Sequence, residues 1–196
     1  MHVYFVRHGE SEANILHQFS NRGIQHPLTE KGRQQAYILA DMMRGKQITR
    51  IFTSPLLRAM QTAEILSGVL KIPCTPTDAL REFDCGILEG KSDLISWQRF
   101  DRLLEEWFVC HNWDSRIEEG ESFNDIRRRF ETFINNLRII KLNLVLVGHG
   151  GIFRAMLPLL MDNLDDDYGK DHHLGNTGYV LATLEQHRFT CLEWHE

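Results

Sequence analysis

Val3-Tyr4-Phe5-Val6-Arg7-His8-Gly9 is the stretch that decides the fold. Four β-favouring residues run without a charged interruption and stop at an arginine, a histidine and a glycine. Such a run reads as a strand buried on both faces, with its polar residues at the carboxyl tip. Asn143-Leu144-Val145-Leu146-Val147 repeats the pattern and ends in Gly148-His149-Gly150-Gly151. A third run, Arg50-Ile51-Phe52-Thr53, leads into Ser54-Pro55-Leu56-Leu57-Arg58. Two histidines and an arginine are thereby carried to the ends of three strands.

Helical patterns separate these strands. Thr29 is placed to cap a helix that carries Ala36, Leu39, Ala40 and Met43 at helical spacing. Ser54-Pro55 is expected to open a second helix with proline in its first turn, and Ala59, Ala63 and Leu66 form its apolar side. Residues 72–77 read as a weak strand interrupted by Pro73 and Pro76, and 92–110 as an aromatic-rich helix. Ile126, Phe130, Phe133, Ile134 and Leu137 set a helix over 123–140, and an apolar helix follows over 152–160. Two strands, 179–184 and 189–194, close the chain and offer a sheet edge; they leave the oligomeric state open. The alternation predicts an α/β fold: a three-layer α/β/α sandwich with a mostly parallel central sheet, as one domain over 1–196. In such sheets ligands bind beyond the carboxyl ends of the strands, so His8, Arg58 and His149 are expected to meet there.

Composition narrows the functional classes. Hydrophobic residues are 42% and charged residues 25% of the 196, with a net charge of −5. That balance fits a soluble globular protein and argues against a nucleic-acid partner. No apolar run reaches the ~18 residues of a membrane helix, and the start of the chain has no signal-peptide pattern, so no membrane partner and a cytoplasmic location are expected. Cys74, Cys85, Cys110 and Cys191 form no C-x-x-C pair and read as reduced thiols. The ten histidines include no H-E-x-x-H motif, and His172-His173 falls in a polar loop, so no metal site is expected.

Six blocks, in order, resemble the histidine phosphatase superfamily, in the branch of cofactor-dependent phosphoglycerate mutases and related small phosphatases. They are Arg7-His8-Gly9-Glu10-Ser11; Pro27-Leu28-Thr29 with Gly32 and Gln35-Ala36; Ser54 to Ala59 with Gln61-Thr62-Ala63; Leu80-Arg81-Glu82 with Gly86 and Glu89-Gly90; Gly120-Glu121-Ser122; and Gly148 to Gly151. The resemblance covers nearly the whole chain. It implies a phosphoglycerate mutase-like fold and a metal-independent phosphatase acting on a small phosphomonoester through a phosphohistidine at His8, with no cofactor. The chemistry suits those residue types, because a neutral imidazole escapes the repulsion that an anionic nucleophile meets at a phosphomonoester. Arg7, Arg58, His149, Asn14 and the Gly150 N–H are implied as donors to the phosphoryl oxygens, with His149 protonated once phosphate is bound. Glu82 is implied as general acid, then base.

Gln25 departs from the acidic residue that many small phosphatases of this family carry two positions before Pro-Leu-Thr. Arg22, in the same loop, is read as a contact to a second anionic group on the substrate. Residues 91–119 are read as a cap over the pocket, rich in Trp97, Phe100, Trp107, Phe108 and Trp113, with Lys91, Arg99, Arg102 and Arg116 as its cations. A mutase typically has a longer insertion with more basic residues, so phosphatase is favoured over mutase, and over a non-catalytic phosphate-binding module. The Arg127-Arg128-Arg129 run reads as a solvated helix face, and Glu121-Ser122 as a cap for the helix after it.

Overall fold

A strand made of valine, leucine and phenylalanine is buried on both faces only if helices cover both sides of its sheet. The computed structural model describes residues 1–22, 26–186 and 188–196; Gln25 lies outside them. Along the chain come β1 (His2–Arg7), α1 (Glu12–Ile15), α2 (Glu30–Met42), β2 (Ile48–Thr53), α3 (Leu57–Leu70), β3 (Cys74–Pro76), α4 (Leu94–Phe108) and α5 (Phe123–Leu137). They are followed by β4 (Asn143–Gly148), α6 (Gly150–Leu160), α7 (Tyr168–Asp171), β5 (Tyr179–Glu185) and β6 (Arg188–His195). The strands form one sheet in the order β3-β2-β4-β1-β5-β6. β3, β2, β4 and β1 are parallel neighbours, β5 runs antiparallel to β1, and β6 antiparallel to β5. This is the expected mostly parallel sheet flanked by helices.

The period of two along β1 divides the core. Val3 and Phe5 pack with Leu144, Leu146, Phe130 and Phe153, on the side of α5 and α6. Tyr4 and Val6 pack with Val145, Val147, Ala36 and Ala59, on the side of α2 and α3.

Several boundaries differ from the sequence reading. Thr29 does cap α2, its hydroxyl accepting from Gly32 N at 3.0 Å. α3, however, begins at Leu57, with Leu56 at the cap. Ser54 N still bonds Val147 O at 2.8 Å, so the sheet claims that residue and Pro55 precedes the helix. α5 stops at Leu137, with Arg138 as its C-cap. α6 begins two residues early, at Gly150, with His149 at its cap. β3 keeps only three residues, at the sheet edge, where a proline removes no needed ladder bond. The triple-arginine run is not uniformly solvated: Arg127 and Arg128 make exposed ion pairs, whereas Arg129 grips Glu121 and donates to Ala79 O at 3.0 Å. Ser122 caps α5 as expected, its hydroxyl accepting from Asp125 N at 3.2 Å.

The loop after β1 is held against the start of α2 by a backbone-to-backbone approach. A Cβ on Gly32 would lie 1.9 Å from Glu10 O, and one on Gly9 2.5 Å from Gly32 O. Gly32→Ala therefore forces the two segments apart. It is expected to cost about 1–3 kcal/mol, read as a lower urea midpoint; an unchanged midpoint would mean the segments separate freely. Among the described residues, no helix is long and apolar enough to cross a membrane.

Candidate active site

The parallel register places the candidate residues side by side. Arg7 pairs with Gly148 across β1 and β4, and His8 N donates to Gly148 O at 3.0 Å. His8 and His149 thus leave neighbouring strand ends, with ring centroids 5.1 Å apart. Both are buried, as is Arg58 from the first turn of α3. Arg7, His8, Asn14, Arg58, Glu82 and Gly150 line one pocket of about 270 Å³. His149 is not part of this lining, but its buried ring lies against that of His8.

Backbone geometry fixes the tautomer of His8. Its Nδ1 lies 2.7 Å from Gly9 O, an atom that only accepts, so Nδ1 carries the hydrogen. The lone pair is then on Nε2. Arg58 Nε, which only donates, points at that Nε2 from 3.1 Å. Burial, then the charges of Arg58 and Arg7, push the His8 ring well below the usual histidine pKa. It is neutral at pH 7, the form a nucleophile needs.

The contacts of His149 suit the same tautomer. Its Nε2 lies 2.7 Å from Ser54 Oγ, which also accepts from Leu56 N at 3.3 Å. The hydroxyl can give its one proton to Nε2 while accepting from Leu56 N, and the ring hydrogen then stands on Nδ1. That Nδ1 is buried and meets no acceptor, and neither does Arg7 Nε. Burial, then Arg58, His8 and Arg7, hold the ring well below the ordinary value. His149 is therefore uncharged at neutral pH unless an anion stands beside it.

Glu82 reaches the pocket from the segment after β3. Its carboxylate accepts Gly151 N at 2.9 Å and Ile152 N at 2.8 Å, at the positive end of α6. Burial raises its pKa more than these bonds and Arg58 lower it. Gly151 is required there, since a Cβ would lie 2.7 Å from the carboxylate. Asn14 Oδ1 accepts from Ser11 N and Ser11 Oγ, both at 3.0 Å, and from Asn176 Nδ2 at 3.3 Å. Its Nδ2 is then the end left for the pocket.

A neutral imidazole with its lone pair toward a pocket of fixed donors is what the sequence blocks imply, and a comparison of the chain with known families decides the assignment. Residues 3–196 match the histidine phosphatase superfamily (branch 1). The chain belongs to this superfamily. Among curated relatives, mouse 6-phosphofructo-2-kinase/fructose-2,6-bisphosphatase 1 is 30% identical over 170 residues, covering 84% of this chain and 34% of that protein. The chain thus spans about a third of that relative's length. The "Probable phosphoglycerate mutase GpmB" of Proteus mirabilis is 30% identical over 163 residues, covering 82% of this chain and 75% of that protein. The alpha-ribazole phosphatase of Shigella flexneri has the same fold, with a TM-score of 0.83 at 23% identity, covering 100% of this chain and 96% of that one.

In this histidine phosphatase superfamily chain, Arg22 does not line the pocket, contrary to the sequence reading. Its guanidinium is taken by Asp84 at 2.8 Å and Glu119 O at 2.6 Å. Glu89 accepts the N–H groups of Asn21 and Arg22. Together these bonds pin the loop that offers Ser20 O to Arg58 NH1 at 2.7 Å.

Sequence reasoning gave no role to Ser54, Asn176, Arg154, His173 or Gln18. The last three line the pocket, and Asn176 Nδ2 also donates to His8 O at 3.3 Å. Only Ser54 carried a signal, as the first residue of a recognised block. Ser54→Ala removes the hydrogen bond that orients His149. It is expected to lower kcat about fivefold, as the loss of one hydrogen bond of roughly 1 kcal/mol allows, with KM little changed. Wild-type kcat would leave Ser54 without that role.

Proposed function

We propose that the protein is a metal-independent phosphomonoester hydrolase that works through a phosphohistidine at His8 and acts on a small phosphorylated metabolite. The observation that carries this reading is the neutral His8 ring, held by Gly9 O with its Nε2 lone pair facing Arg58. Nε2 attacks phosphorus while the bond to the ester oxygen breaks, and protonated Glu82 gives its proton to the leaving oxygen. Arg58 Nε exchanges His8 for a phosphoryl oxygen. Arg7, Asn14 Nδ2, His149 Nδ1 and Gly150 N supply further donors; two of these, Arg7 Nε and His149 Nδ1, otherwise lack acceptors. Glu82, now a carboxylate, takes a proton from the water that attacks phosphorus. The P–N bond breaks, and phosphate and neutral His8 are released.

Relatives include a bisphosphatase, a mutase and an alpha-ribazole phosphatase by name. We favour hydrolysis over phosphoryl return because of the 91–119 segment, which we read as the cap. It contributes Trp97 and Phe100 to the catalytic pocket, while Arg99, Arg102 and Arg116 line a separate depression. The cap therefore brings no cation to a second phosphate. Incubation with 3-phosphoglycerate and 2,3-bisphosphoglycerate is expected to release phosphate without interconverting 3- and 2-phosphoglycerate. Rapid interconversion with little free phosphate would make the protein a mutase. Four free cysteines suit a reducing compartment, and we place the protein in the cytoplasm.

A further inference from the structure

Beside the catalytic pocket, between α4 and α6, lies a second cavity of about 330 Å³. The two share a wall: Phe83, Phe100, Gly151 and Arg154 line both. On the far side of this shared wall the second chamber is bounded by Leu104, Trp107, Phe108 and Ala155. Phe83 and Phe100 stack parallel at 5.7 Å, which gives the shared wall an aromatic surface. Exposed Glu105 and Lys170 mark the outer rim.

Trp107 and Arg154, two of the polar side chains that border the chamber, bond to backbone carbonyls. Trp107 Nε1 donates to Ser115 O at 2.8 Å. Arg154 donates through Nε to Gly169 O at 2.8 Å and through NH2 to Lys170 O at 3.1 Å. A sugar or glycerate hydroxyl entering here would give up water for an apolar wall, a transfer that opposes binding. An apolar group entering here gains by leaving water. The volume is at the lower end of that of ordinary small-molecule pockets.

We infer that this chamber receives the organic body of the substrate, and that the substrate is the phosphate monoester of an alcohol with an apolar ring or chain. The inference rests on the hydrolase reading of His8, because the phosphoryl group must be seated there for the body to extend across the shared wall into the second chamber. The two pockets then divide the work: the first fixes the phosphoryl group, and the second selects by size and apolarity. Leu104 borders only the second, so it affects selection without touching the reacting atoms.

The test is a chain-length series in which the leaving group stays a primary alkoxide: ethyl, butyl and hexyl phosphate, with glycerol 3-phosphate as the polar comparison. The matching ethyl- and hexylphosphonates, which bind without being cleaved, are titrated in parallel. We expect kcat/KM to rise about fourfold per added methylene until the chamber is filled, and hexylphosphonate to bind correspondingly tighter than ethylphosphonate. Leu104→Gln is expected to flatten both trends while ethyl phosphate turnover stays at the wild-type level. Should that variant fail to fold, the two phosphonate affinities of the wild type still decide. Equal turnover across the series with equal phosphonate affinities overturns the chamber and keeps the hydrolase. Chain-length-dependent phosphonate binding with no ester cleaved overturns the hydrolase and keeps the chamber.

Discussion

Replacing His8 by alanine is expected to lower turnover of p-nitrophenyl phosphate by roughly a thousandfold or more. In the proposed reaction this ring is the nucleophile: Gly9 O holds its other nitrogen, and burial with the charge of Arg58 keeps Nε2 unprotonated. Arg7, Arg58 and Asn14 remain in the variant, so phosphate affinity should change far less than kcat. Wild-type turnover is expected to persist in EDTA. A His8→Ala protein with full activity, or a wild type silenced by EDTA and restored by a divalent ion, would move the chemistry elsewhere.

Glu82→Gln should divide substrates by leaving group. For an alkyl ester the leaving oxygen needs a proton, and loss of the acid is expected to cost about 10²–10³ in kcat/KM. A p-nitrophenyl ester leaves readily as an anion and should lose less than about tenfold. The pH profile carries the same information. Burial raises the Glu82 pKa, so its protonated form survives above the ordinary carboxylate range. Alkyl-ester turnover should fall as pH rises through that raised pKa, and Glu82→Gln should remove this limb. His8 is shifted the other way, so it stays unprotonated and nucleophilic well below the usual histidine range. Equal losses for alkyl and aryl esters would take Glu82 out of the acid role and leave it as a cap on α6.

The parts of the fold legible in the sequence were those with a local cause. β1, β2 and β4 announce themselves as apolar runs that stop at polar tips, and α2 by Thr29 and its apolar spacing. The strand order was not legible, because it depends on pairings such as Val3 with Leu144, far apart in the chain. The same distinction separates the site residues. Arg7, His8, Arg58, Glu82 and His149 stand in short blocks. Ser54 acts on a histidine 95 residues away and Asn176 on one 168 residues away, so neither role has a local pattern. Arg22 was misread for a related reason. A cation near the site looks like a ligand contact until Asp84, from another segment, is seen to take it.

The most direct measurement is a rapid alkaline quench during turnover of a ³²P-labelled phosphomonoester, followed by peptide mapping. A phosphorus–nitrogen bond to histidine survives alkali and is lost in acid. The expected result is alkali-stable, acid-labile label on the peptide containing His8, rising and decaying as inorganic phosphate is released, and absent from His8→Ala. Label on another residue, an acid-stable label, or full turnover with no label at any time would contradict nucleophilic catalysis by His8.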